Sequence, residues 1–127
     1  MISRLSDRAA DRTAAIDPSP LLGEWINYDQ ASRNIARLTL AQRGNAVILN
    51  ITGVADIEWG ETAAHQFALT VAGGDAVAFQ AGYDFGFLRV AILAYLNKRL
   101  LVVDAYNTFH DESGRSSYFV RDHFYLR

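Results

Sequence analysis

From Leu21 to the C-terminus the chain falls into short runs rich in Val, Ile, Leu, Phe and Tyr, separated by clusters of turn-forming residues. Eight runs are predicted as strands, over residues 21–28, 34–42, 46–54, 63–71, 76–83, 86–96, 100–109 and 117–126. The breaks carry turn chemistry, in Arg43-Gly44-Asn45, Gly73-Gly74-Asp75, Asn97-Lys98-Arg99 and the stretch Asp111 to Arg115. Connections this short force antiparallel neighbours, because parallel pairing needs a crossover of about a dozen residues or more. A closed barrel and a two-sheet sandwich both satisfy that pattern. Closure is favoured, since consecutive hairpins bring the first and last strands together and remove both sheet edges. A sandwich needs long cross-sheet connections, and the stretch from Asp56 to Thr62 is the one candidate. Residues Ile57 to Glu61 are expected to form the longest loop, with Trp59 either a contact residue at the barrel mouth or packed beneath the loop. Asp84-Phe85-Gly86-Phe87 reads as a tight strand-turn-strand corner.

Before Leu21 the period changes. Ile2, Leu5, Ala9 and Ile16 fall near one helical face while Arg and Asp fill the other, which predicts a short helix over residues 3 to 15, ended by Pro18 and Pro20. The expected organisation is therefore a helix and linker over residues 1–20 and an all-β, eight-stranded antiparallel up-and-down barrel over residues 21–127.

Composition narrows the function classes. A chain of 127 residues buries about two-thirds of its unfolded surface, enough for one core. The formal charge of −2, with basic residues scattered, argues against nucleic acid. Without Cys, disulfides, thiolate catalysis and zinc–sulfur sites are excluded. His65, His110 and His123 have no metal-ligand spacing, so no metal site is expected. Nucleophile-elbow and phosphate-loop motifs are missing, and no cofactor is expected. Arg and Asp interrupt the first residues where a secretory signal needs an apolar core, so a cytoplasmic location is expected. The longest apolar run, around Val90 to Leu96, is too short to span a membrane.

The first strand, Leu22-Gly23-Glu24-Trp25-Ile26-Asn27, has the form L-G-x-W-x-N and resembles the opening strand of the calycin superfamily, the lipocalins and avidins. The resemblance implies a barrel in which the Gly permits close backbone approach and Trp25 plugs the closed end. It also implies an Arg from the last strand, Arg121 or Arg127, packed over the indole. Asn27 matches the Asn that avidins use to hydrogen-bond their ligand. Avidins line the biotin site with several Trp, whereas only Trp25 and Trp59 occur here, so biotin is not the expected ligand.

Strand parity selects the residues that face inward, because successive side chains alternate between the two faces. If Trp25 points in, so do Gly23 and Asn27. In the last strand the phase Tyr118, Val120, Asp122, Phe124, Leu126 reads as the interior. In strand seven the phase Leu100, Val102, Asp104, Tyr106 competes with Leu101, Val103, Ala105, Asn107, Phe109, and parity leaves both open. Trp25, Asn27, Asp104, Tyr106, Tyr118 and Phe124 are therefore the candidate ligand-binding residues.

Two function classes follow. One is a binding barrel that shelters a mainly apolar small molecule. The other is a cofactor-independent cyclase or isomerase acting on a hydrophobic, natural-product-like substrate, with Tyr118 and Asp122 polarising or protonating a carbonyl. A homodimer is also expected. Strands six and seven are apolar in both phases, so the outer surface of their hairpin keeps an apolar patch whichever phase lines the interior.

Overall fold

The computed structural model describes residues 16–71 and 74–127, and the helix expected over residues 3 to 15 lies outside them. On the N-terminal side the described chain shows a single 3-10 turn, Ser19–Leu21, with Pro20 inside it. Eight strands follow: β1 (Gly23–Asn27), β2 (Ile35–Arg43), β3 (Ala46–Gly53), β4 (Glu58–Val71), β5 (Gly74–Asp84), β6 (Leu88–Asn97), β7 (Leu100–Phe109) and β8 (Tyr118–Leu126). Each pairs antiparallel with the next, and β8 returns to β1, so the sheet is a closed up-and-down barrel. The seam registers Trp25 with Leu126 and Asn27 with Phe124. The Tyr28 amide donating to the His123 carbonyl at 2.8 Å and the Arg127 amide donating to the Glu24 carbonyl at 2.9 Å extend it at both ends. Closure leaves no row of unpaired backbone groups.

One expected loop is corrected. Glu58 to Glu61 belong to β4, which is 14 residues long. The registers Ile51 with Gly60 and Thr52 with Glu58 place Trp59 in a β-bulge, and Gly60 at φ 90° supplies the backbone conformation that carries the strand through it. The longer connections are instead those before β2 and before β8. The corner at Asp84 to Phe87 is tight as expected: the Phe85 amide donates to the Leu88 carbonyl at 2.9 Å, and Gly86 sits at φ 86°.

Up-and-down connectivity gives the barrel two unlike ends. The connections after β2, β4 and β6 are short and define the turn end. Those after β1, β3, β5 and β7 define the loop end. Directly paired residues share a face, so inward positions can be followed along two lines, Trp25, Leu38 and Ile51 on β1 to β3 and Tyr83, Val90, Asn107 and Tyr118 on β5 to β8. Leu38, Leu40, Leu49, Ile51, Phe79, Leu101, Val103 and Phe124 are buried on this inner face and form the core. Full burial of a side chain of that size contributes about 1.5–3 kcal/mol. No helix among the described residues is long and apolar enough to cross a membrane.

Candidate binding site at the loop end

At the turn end the chain before β1 packs into the core. Leu21 is fully buried, and the Trp25 indole N–H donates to its carbonyl at 2.9 Å, so the one polar group of Trp25 is satisfied while its ring joins the core. Gly23, at φ 128°, lies where a Cβ would meet Leu126 Cδ1 at 2.8 Å. The two Arg residues expected over the indole have other partners: Arg121 pairs with Asp104 and stands over Phe119, and Arg127 reaches Glu24.

The loop end is rimmed by aromatic rings. The bulge carries Trp59 against Tyr83 and Phe85 at centroid distances of 5.6 and 5.7 Å, both edge-on. Tyr83 and Phe85 are themselves stacked at 5.7 Å. Further round, Phe87 follows the corner, and Phe109 meets Tyr118 at 6.1 Å. Arg115, held by Asp111 at 2.8 Å, places its guanidinium 4.1 Å from the centre of the Phe109 ring and 5.8 Å from that of Phe87. The rings come from β4, β5, the corner after β5, β7 and β8, and make an arc of two clusters, Trp59–Tyr83–Phe85 and Phe109–Tyr118, with Phe87 and Phe109 both beside Arg115. Phe85, Phe87 and Tyr118 are 37, 48 and 43% exposed, so part of this aromatic surface is left in water.

Tyr83, Val90, Asn107 and Tyr118 lie on one line of cross-strand partners on the inner face, so that Val90 and Asn107 sit between two of the arc's rings. The Tyr83 hydroxyl donates to the Gly60 carbonyl at 2.9 Å, and burial pushes its phenol up to about 12, so it stays neutral at ordinary pH. Asn107 is 1% exposed. Its amide Nδ2 donates to the Ala105 carbonyl at 3.3 Å, while its Oδ1 is buried without a partner. The carboxylates of the rim are held below the usual carboxylate range, Asp84 chiefly by the Gly86 amide and Asp111 chiefly by the Ser113 hydroxyl. They are ionised surface groups rather than proton donors.

The other expected site residues are dispersed. Asn27 is buried on the inner face, but its Nδ2 donates to the Ile35 carbonyl at 2.8 Å and its Oδ1 accepts the Asp29 amide at 2.9 Å. Both ends of that amide brace the connection into β2. Phe124 is a fully buried core residue and Tyr118 belongs to the rim. Asp122 accepts the Ser32 hydroxyl at 3.0 Å, which ties β8 to the connection before β2. Strand seven turns the phase of Leu101, Val103, Ala105, Asn107 and Phe109 inward. Asp104 and Tyr106 consequently lie on the outer wall, where Asp104 accepts two hydrogen bonds from Arg121 at 2.7 and 2.9 Å. Beside them a depression of about 460 Å³ is lined by Tyr28, Asp29, Leu100, Arg121, Asp122 and His123. Tyr28 is 72% exposed, so a molecule resting there would keep much of its surface in water.

Sequence reasoning passed over Asn107, Tyr83, Phe85, Phe87, Phe109 and Arg115. The available signal was Asn107 as the lone amide in the competing phase of strand seven, together with aromatic residues flanking two loop-end connections. Among the described residues, no group of three or more His, Asp or Glu is gathered to hold a metal ion. Fold and site define a closed eight-stranded barrel with aromatic rings at its loop end. No known protein family, curated protein or solved structure matches the chain.

Proposed function

We propose that the protein binds a mainly apolar small molecule at the loop end of its barrel, with the aromatic arc gripping the ligand. The observation that carries this reading is the partly exposed arc of Trp59, Tyr83, Phe85, Phe87, Phe109 and Tyr118 with the inward-facing Asn107 among them. Small-molecule sites combine apolar and aromatic walls with a few placed polar groups, and eight-stranded barrels are wide enough for side chains or one small ligand. The calycin-like form of Leu22 to Asn27 points the same way. Binding is favoured over cyclisation or isomerisation because the Asp122 carboxylate is engaged by Ser32 and Tyr118 lies against Phe109.

Titration with a neutral naphthyl fluorophore tests the reading. Trp59→Ala should weaken binding about tenfold, equivalent to about 1.4 kcal/mol, whereas Tyr106→Ala on the outer wall should leave it unchanged. Equal affinity of native protein and Trp59→Ala would overturn the loop end as the site.

Self-association is a second reading of a different surface. Leu93, Tyr106, Phe119 and Tyr125 are exposed on the outer wall of β6, β7 and β8 around the Asp104–Arg121 pair. A two-fold dimer through β6 and β7 would bury them.

A further inference from the structure

Resting on the loop-end reading, we infer that Asn107 is the specificity-determining residue of the site and that its ligand is an apolar ring compound bearing a hydroxyl or N–H donor. Asn107 faces inward on β7 between Val90 and Tyr118, among the rings of the aromatic arc, and is 1% exposed. Its carboxamide orientation follows from its neighbour. Nδ2 donates to the Ala105 carbonyl at 3.3 Å, and the flipped amide would set oxygen against oxygen. The unpartnered atom is therefore the acceptor Oδ1. An inward-facing buried acceptor among partly exposed aromatic rings is complemented by a donor carried on an apolar body. A hydrocarbon, an ether or a ketone cannot supply that donor.

Among the described residues two other buried side-chain atoms are unpartnered, and both lie away from the loop end. Asn50 registers with Thr39 and Glu61 on the outer wall. Gln66 lines a separate depression with Ile16, Asp17, Pro18, Gln42 and Asn45, toward the turn end. Asn27, the amide suggested by the first strand, has both of its ends occupied by backbone. Asn107 is thus the loop-end amide whose oxygen awaits a donor.

The test compares naphthol with its methyl ether, which keeps the ring and the oxygen and removes the donor. Native protein should bind naphthol at least tenfold more tightly, because a site built around a hydrogen bond rejects the analogue that leaves it unmade. In Asn107→Leu the preference should fall to near unity through loss of naphthol affinity, with the ether bound as well as before. If the substitution prevents folding, the native protein still decides: the Asn107 side-chain amide resonances should shift with naphthol and not with the ether. Equal binding of both compounds to native protein would overturn the role of Asn107 and leave the loop-end site standing. Failure of both compounds to bind would overturn the site and the inference together.

Discussion

Replacing Gly53 by Ala probes how closely the indole of Trp59 seats against the end of β3. At φ −83° and ψ −173°, position 53 has an extended backbone open to any residue, so the substitution carries no dihedral penalty. The obstacle is contact: a Cβ at Gly53 would lie 2.5 Å from Trp59 Nε1, 3.4 Å from Trp59 Cε2 and 3.3 Å from the Asn34 carbonyl oxygen. Ordinary heavy-atom contact lies near 3.5–4.0 Å, so the indole must withdraw by about an ångström, which pulls on its edge-on contacts with Tyr83 and Phe85. Overpacking of this kind costs about 1–3 kcal/mol, and the reduced freedom of the unfolded chain returns about 0.4–1 kcal/mol. A net destabilisation of roughly 1–2 kcal/mol is expected, read by urea unfolding followed by circular dichroism. Trp59→Ala removes the clashing ring, so Gly53→Ala should be neutral or stabilising by up to about 1 kcal/mol in that background. An equal cost in both backgrounds would refute the reasoning and assign the strain to the Asn34 carbonyl.

Tyr83 predicts an alkaline weakness. Its phenol is raised to about 12, so folding favours the neutral form. The stabilisation is complete below the unfolded value near 10 and is lost as pH rises from there through 12, with a depth on the order of 2 kcal/mol. Tyr83→Phe should flatten this part of the stability profile, and a profile as steep as that of native protein would remove Tyr83 as its cause. For the outer wall, sedimentation at micromolar concentration should show a dimer that Leu93→Glu or Tyr106→Glu converts to monomer. Native protein that sediments only as monomer would rule the dimer out.

The strand count, the antiparallel meander and the inward phase of β1 and β8 were legible in the sequence. They rest on local rules: alternation along a strand, Gly and Asn at turns, and the one-sided polarity of most of the wall. The orientation of β7 was not legible, because Leu100 and Val102 match Leu101 and Val103 in hydrophobicity. Pairing with β6 and β8 decided it and carried Asp104 and Tyr106 to the outside. The extra length of β4 escaped for a related reason: a bulge at Trp59 with Gly60 at φ 90° breaks the alternation by which strands are recognised, while pairing with β3 resumes beyond it, shifted by one residue. The aromatic arc and the unpartnered oxygen of Asn107 depend on residues from β4 to β8 meeting at one end. Closure of the sheet is the long-range event that sets them side by side, and no local pattern in the chain encodes that meeting.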